Sequence, residues 1–137
     1  MIVNSDRGIK TILENVRTIA AVGSTPHPGA GNMVPQFLME KGFNVIPVNP
    51  EHDEVFGLKC YASLRDIPVK IDMVDCFIPS DAVFPVAEDA IAIGAAVLWM
   101  QLGVINDKAA EHASDAGLKV VMDRCPHIEI PRLFGFD

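Results

Sequence analysis

A glycine- and proline-rich stretch, VGSTPHPGAGN, covers residues 22–32 and could receive an anion. An apolar run precedes it, and a helix-like segment that includes Asn32 and Met33 follows it. A loop that leads into a helix presents free backbone N–H groups and the positive end of the helix dipole. Gly23, Gly29 and Gly31 would let a phosphate approach the backbone closely. The pattern favours a phosphate site near Gly31, although such loops are also common as simple turns.

Two familiar phosphate motifs do not fit this loop. Its glycines lack the G-x-G-x-x-G spacing, and no Gly-Lys-Ser/Thr follows them. A dinucleotide-binding domain also places an acid at the tip of its second strand. The sequence has Asn49 and Pro50 there, with Glu51 one residue further on. These differences disfavour a nicotinamide dinucleotide without excluding it, because one fold can bind different ligands.

Other reactive side chains are scattered along the chain. Three cysteines and four histidines occur without disulfide-framework or metal-ligand spacing. No Ser/His/Asp arrangement or nucleophile elbow is evident. We therefore predict no catalytic and no metal site. The scattered cysteines and histidines are Cys60, Cys76, Cys125, His27, His52, His112 and His127.

The overall composition limits the classes of partner. Eleven basic and 18 acidic residues give 137 residues a formal charge of −7. This charge disfavours nucleic acid, which is bound by neutralising its phosphates, and anionic membrane surfaces. The longest apolar stretch, residues 87–100, is interrupted by charges and a glycine, and the first residues do not form a signal peptide. We expect one cytoplasmic domain covering residues 1–137.

Apolar runs and helical periodicity alternate along the chain. Helices are predicted at residues 5–16, 32–41, 81–93 and 106–116, with Asn4 or Ser5 capping the first and Asn106 capping the last. Pro35 falls in the first turn of the second helix. Strands are predicted at residues 19–23, 43–48, 72–78, 96–100 and 118–122, with a possible strand fragment at 51–61 and one helical turn at 63–67. The tail from residue 123 carries no strong signal.

This alternation predicts an α/β fold, a Rossmann-like, doubly wound parallel sheet of about five strands in three α/β/α layers. Ligands bind such sheets at the carboxyl ends of the strands. Trp99 is expected in the core, whereas Gln101 follows a strand and is either a cleft residue or a satisfied loop residue. Asp72 and Asp75 are expected to be structural, pairing with Lys70 or Arg124.

Five sequence blocks within residues 13–133 resemble one family. The chain resembles the small, stand-alone CoA-binding domains related to the N-terminal domain of the succinyl-CoA synthetase α subunit. The blocks that carry the resemblance are IAAVGST at 19–25, VIPVNP at 45–50, residues 57–68 with YASL and DIP, WMQLG at 99–103 and MDRCP at 122–126.

The resemblance implies that coenzyme A, free or acylated, lies across the carboxyl edge of the sheet and that the domain has no catalytic apparatus. Larger synthetases take their catalytic parts from other modules. The alternatives are an NAD(P)-binding oxidoreductase or redox-sensing domain, and a subunit of a larger acyl-CoA ligase. The implied contacts are Gly23, Ser24, Thr25, Gly31, Asn32 and Met33 with the phosphates, Val48, Asn49 and Pro50 with the adenosine, Phe77, Ile78 and Pro79 as an apolar wall, and Met100, Gln101 and Gly103 along the pantetheine arm.

The chain departs from the family in two places. Members often carry an arginine and a serine late in the first loop, where this chain has Gly-Ala-Gly-Asn at 29–32, and an arginine after the third strand, where it has Ile78 and Pro79. His27 and Arg124 are the remaining cations expected near the ligand.

Two further expectations concern the end of the chain. Cys125 stands beside Arg124, and a nearby cation makes a thiol more reactive. A mixed disulfide between Cys125 and CoA is therefore possible in principle, against the alternative of an inert thiol. The apolar tail residues pack either on their own domain or on a second copy, which favours a homodimer weakly. They are Ile128, Ile130, Leu133, Phe134 and Phe136.

Overall fold

The computed structural model describes residues 1–135, in which strands and helices alternate along most of the chain. The strands are β1 (Thr18–Val22), β2 (Asn44–Val48), β3 (Glu54–Val55), β4 (Leu58–Lys59), β5 (Met73–Cys76), β6 (Val97–Met100) and β7 (Lys119–Val121). The helices are α1 (Asp6–Asn15), α2 (Ala30–Glu40), α3 (Val83–Ala92), α4 (Asp107–Asp115) and α5 (Pro126–Phe134). Single helical turns lie at Leu64–Asp66 and Ser80–Ala82.

Five parallel strands form one sheet in the order β2-β1-β5-β6-β7. The chain starts this sheet at β1, adds β2 on one side and then crosses to β5 on the other, so the order reverses between β1 and β5. The strands are short, apolar and almost entirely buried, as expected when helices cover both faces. This confirms the predicted doubly wound α/β fold. The possible strand fragment is the small antiparallel β3-β4 hairpin.

Alternating side chains divide the core into two layers. On one face, Ala20, Val74 and Leu98 pack with residues of α3 and α4. On the other face, Ile19 and Trp99 pack with residues of α1, α2 and α5. The three-layer arrangement is thereby confirmed, and Trp99 is a core residue with no exposed surface.

The caps predicted for the first and the last of the four predicted helices are observed. The Ser5 hydroxyl oxygen accepts from the Gly8 N–H at 3.1 Å, and the Asn106 amide oxygen accepts from the Ala109 N–H at 2.9 Å. None of the helices within residues 1–135 has the length and apolar content needed to cross a bilayer.

Helix α5 was not predicted from the sequence. Pro126 occupies its first position, where the missing N–H costs little, but the second proline, Pro131, obscures the helical pattern. Arg132 ties this helix to Asp6 of α1 at 2.8 Å. In the apolar tail, Ile130 is buried within the domain, whereas half of Ile128 is exposed. Phe136, named above for the same tail, lies outside the described residues.

Candidate ligand-binding cleft

A cleft of about 340 Å³ opens at the carboxyl ends of β1, β2 and β5, where the strand order reverses. This is the position at which open α/β sheets bind their ligands. Its walls come from strand ends, from the turn at residues 62–64 and from α3. The lining residues are Val22, Gly23, Val48, Asn49, Pro50, Ala62, Ser63, Leu64, Ile78, Ala82, Val86 and Asp89.

The apolar wall of the cleft contains only one of the three residues expected after β5. Ile78 lines the cleft, but Phe77 packs against the core on the opposite face of the sheet. Pro79 is exposed and is not among the lining residues. Successive side chains of an extended segment point to opposite faces, so adjacent residues cannot share one wall. The apolar wall in the structure is therefore Ile78 together with Val22, Val48 and Val86, and not the predicted trio.

The loop between β1 and α2 is held by its own backbone. In a regular helix, the N–H of residue 35 would donate to the Gly31 carbonyl. Pro35 has no N–H, so the Gly31 carbonyl is free to accept from another donor. That carbonyl accepts the N–H of Thr25 at 3.2 Å. The Asn32 side-chain amide donates to the Thr25 carbonyl at 3.0 Å. Helix α2 thus begins two residues earlier than predicted, and Pro35 lies in its second turn rather than its first.

The N–H groups available to an anion differ from those predicted. The N–H groups of Asn32 and Met33 both donate to the Gly29 carbonyl, at 3.1 and 2.9 Å. Within residues 1–135, the backbone N–H groups of Ser24, Ala30 and Gly31 have no acceptor. The amino end of α2 has no side-chain cap, because its cap residue is Gly29. An anion would therefore be received at residues 29–31, with Asn32 and Met33 behind them.

The side chain of Ser24 does not face the cleft. It is fully buried, and its hydroxyl donates to the Ala21 carbonyl at 2.7 Å. Asn49 joins the two loops, because its amide nitrogen donates to the Ser24 carbonyl at 2.9 Å and its amide oxygen accepts the Glu51 N–H at 2.9 Å. Only the backbone of Ser24 is left for a ligand, while Asn49 fixes the shape of the rim.

The two predicted cations have different environments. Arg124 is engaged, at 3.0 Å from Glu129 and 2.7 Å from the Asn4 side-chain oxygen. His27 lies on the first loop, and its ring centroid is 6.0 Å from that of His52, which follows β2. Neither imidazole forms an ion pair within the described residues. The histidine pair therefore offers imidazole nitrogens on the first loop, whereas the Arg124 guanidinium is already engaged.

The residues expected along the pantetheine arm are mostly enclosed. Met100 is fully buried in the core beneath α3 and α4, so its side chain does not line a groove. Gln101 is 4 % exposed, and its side-chain oxygen is buried without a partner among the described residues. Gly103 is exposed with φ +83°, and its N–H donates to Asp123 at 2.7 Å. Cys125 is 8 % exposed and precedes α5.

Two aspartates of the β5 region have opposite environments. Asp72 accepts the N–H groups of Arg17 and Thr18 at 2.9 and 3.0 Å, which lowers the pKa of its carboxyl. Asp75 lies inside β5, and both of its oxygens are buried without a partner within residues 1–135. Burial raises the pKa of Asp75 well above its usual value. The expected pairing of Asp75 with Lys70 or Arg124 is therefore wrong, and no pattern in the sequence indicated a buried carboxyl without a partner.

A larger hollow, about 480 Å³, lies near the first residues of the chain and Lys119. It adjoins the start of β7, at the edge of the sheet opposite the strand carboxyl ends. The reversal of strand order and the uncapped amino end of α2 lie at the smaller cleft and not at this hollow, so the smaller cleft is the candidate site. Within residues 1–135, no three or more metal-ligating side chains cluster together.

Comparison with known proteins connects this geometry to a family. A family model described as a CoA binding domain matches residues 17–131. The chain is 37% identical over 118 residues to the uncharacterized protein YneT of Bacillus subtilis, covering 85% of this chain and 87% of YneT. It is similar to a hypothetical protein from Pyrococcus horikoshii, with a TM-score of 0.93 and 42% identity over 96% of this chain and 94% of the other.

A second group of relatives consists of much longer proteins. The chain is 25% identical over 118 residues to an ADP-forming acetate–CoA ligase of Methanocaldococcus jannaschii. That match covers 80% of this chain but only 17% of the ligase. The similarity therefore concerns one portion of the ligase and leaves most of its length without a counterpart in this chain.

Proposed function

Since the chain belongs to the family of CoA binding domains, we propose that it binds coenzyme A, free or acylated, at the carboxyl edge of its parallel sheet. The observation that carries this proposal is the apolar cleft at the strand-order reversal, which lies beside the uncapped amino end of α2. An apolar slot next to free N–H groups matches a ligand with a flat base at one end and a diphosphate in the middle.

The adenosine is assigned to the cleft between Val22, Val48 and Ile78. These aliphatic side chains offer a flat base an apolar surface, which favours its transfer from water. Asn49 and Pro50 border the same space and would stand beside the ribose. Ser63 and Asp89 add polar groups on the far side of the cleft.

The diphosphate is assigned to the N–H groups of Ser24, Ala30 and Gly31. Ala30 and Gly31 begin an 11-residue helix whose positive end favours negative charge, and Ser24 lies in the loop just after β1. His27 and His52 supply side-chain donors beside that position, in place of the arginines common in the family. The histidine pair is accordingly assigned to the 3′-phosphate, the one phosphate of CoA outside the diphosphate.

The domain is proposed to bind without catalysing a reaction by itself. The acetate–CoA ligase of Methanocaldococcus jannaschii is about six times as long as the segment matched here, which leaves most of that protein outside the shared portion. The alternative that the chain is a subunit of a larger ligase would be supported by co-purification of a partner with an ATP-grasp domain. We also propose a cytoplasmic location and a homodimer, the latter tested by light scattering of the purified protein.

Isothermal titration calorimetry of ligand-stripped protein tests the proposal, using CoA, dephospho-CoA and NAD⁺. We expect CoA to bind and dephospho-CoA to bind more weakly, because the latter lacks the 3′-phosphate. Equal binding of both would assign recognition to the adenine and diphosphate alone. Binding of NAD⁺ without CoA would reject the proposal in favour of the dinucleotide alternative.

A further inference from the structure

Three buried acceptor oxygens lack a hydrogen-bond donor. They are both carboxyl oxygens of Asp75 and the side-chain oxygen of Gln101, within the described residues. Asp75 has no exposed surface and Gln101 is 4 % exposed. Buried polar groups are nearly always paired, so three unsatisfied acceptors on neighbouring strands require an explanation.

The sheet register places these groups on the same face. Asp75 of β5 pairs with Trp99 of β6, and the ladder continues beyond the strand because the Gln101 N–H donates to the Cys76 carbonyl at 3.3 Å. Gln101 follows Trp99 by two residues, so its side chain leaves the sheet on the Trp99 face. Asp75 and Gln101 are thus diagonal neighbours on adjacent strands, with Gln101 nearer the carboxyl edge.

Two acceptor oxygens cannot form a hydrogen bond with each other, but a proton on one of them supplies the missing donor. We propose that Asp75, as the neutral acid, donates a hydrogen bond to the Gln101 side-chain oxygen and so turns the Gln101 amide nitrogen toward the carboxyl edge. There the nitrogen donates to an amide carbonyl of the pantetheine arm. Asp75 is in this sense a positioning residue for Gln101. This inference rests on the proposed function and extends it to recognition of the arm.

The surroundings of Asp75 favour the neutral acid. Burial without a cationic partner opposes ionisation and raises the pKa of this carboxyl. Within the described residues, Cys76 follows Asp75 in the strand with its thiol in the opposite core layer, and the Cys125 thiol packs in the core layer of the Asp75 face. An ionised Asp75 would instead attract the amide nitrogen of Gln101, and the side-chain oxygen would then face the edge. The protonation of Asp75 thus decides whether Gln101 offers a donor or an acceptor to the ligand.

The test compares CoA with adenosine 3′,5′-bisphosphate, which lacks the pantetheine arm. Asp75→Leu and Gln101→Met should each weaken CoA about tenfold, the effect of one hydrogen bond. Binding of the bisphosphate should not change. The double variant should bind CoA no more weakly than either single variant. Asp75→Asn keeps a donor at this position and should retain the wild-type affinity.

A measurement on the ligand-free protein decides the protonation independently. The carbon-13 shift of the Asp75 carboxyl at pH 7 should be that of a neutral acid, and the Gln101 amide resonances should move in Asp75→Leu but not in Asp75→Asn. An ionised carboxyl, equal losses for both ligands, or additive losses in the double variant would overturn the inference. If wild type binds neither ligand, the proposed function fails, while the resonances still decide the Asp75–Gln101 contact.

Discussion

Gly31 at the start of α2 lies against the carbonyl oxygen of Gly23 at the end of β1. A Cβ on Gly31 would stand 2.6 Å from that oxygen, which is closer than real Cβ atoms approach. The contact joins the strand end to the helix whose N–H groups are assigned to the diphosphate. The absence of a side chain at Gly31 therefore allows the start of α2 to lie this close to the end of β1.

Gly31→Ala should push α2 away from β1 and disturb the phosphate position. We expect a loss of about 1–3 kcal/mol in the free energy of unfolding, typical of overpacking, and at least a tenfold loss of CoA affinity. Urea unfolding and calorimetry measure the two effects. Gly117→Ala is the control, because among residues 1–135 nothing lies within 4 Å of its Cβ position and it ends α4 with φ +98°. It should cost stability through backbone strain and leave CoA binding unchanged.

Ile78→Ala tests the apolar wall of the cleft. Removing this side chain takes apolar surface away from the adenosine, and we expect CoA affinity to fall about tenfold. Ile93→Ala is a matched change, because Ile93 is also half-buried against the same core layer but lies at the end of α3, outside the cleft. Equal losses of CoA affinity in both variants would contradict the assignment of the adenosine to this cleft.

The sheet and the loop between β1 and α2 show which features could be predicted from the sequence and which could not. The apolar runs predicted each strand of the large sheet, because strands buried on both faces have a simple signature. The start of α2 was placed two residues late, since Ala30 and Gly31 resemble loop residues until Gly29 is known to cap the helix. The burial of Ser24 depends on its bond to the Ala21 carbonyl, which no local pattern encodes.

The misassigned residues near the carboxyl edge have a common cause. Phe77 and Met100 were grouped with their neighbours by position in the sequence, whereas alternation of side chains sends adjacent residues to different layers. Asp75 was expected to pair with Lys70 or Arg124 because it was interpreted as a structural residue flanking a strand. In the structure, Asp75 instead lies among apolar groups near Gln101. This placement follows from the register between β5 and β6, which local sequence patterns do not encode.

Asp75 should make the protein less stable as pH rises. Its folded pKa lies above the ordinary value of 3.8, so from about pH 4 up to the folded pKa the unfolded state has released a proton that the folded state retains. The free energy of unfolding then falls by up to about 1.4 kcal/mol per pH unit from this group. Urea unfolding across pH should show this slope in wild type and its loss in Asp75→Asn.

Asp72→Asn is the control with the opposite sign. The pKa of Asp72 is lowered by the two backbone N–H groups that it accepts, so its stabilisation is present above pH 3.8 and is lost as pH falls through the folded pKa. The variant should be less stable than wild type at neutral pH, and the difference should shrink in acid. For Asp75, an equal dependence of the free energy of unfolding on pH in wild type and in Asp75→Asn would contradict the neutral state of this carboxyl.

A mixed disulfide between Cys125 and CoA stays a hypothesis beside the alternative of an inert thiol. Burial raises the pKa of both other thiols, Cys60 and Cys76, which makes them poor nucleophiles. With oxidised CoA, the Cys125 thiolate would attack one sulfur of the disulfide and release one CoA thiol, leaving a reducible adduct visible by intact-mass spectrometry. Because Cys125 is only 8 % exposed, the adduct should form slowly and faster under mild denaturant that loosens α5. An adduct that persists in Cys125→Ser, or none at all, would end this hypothesis.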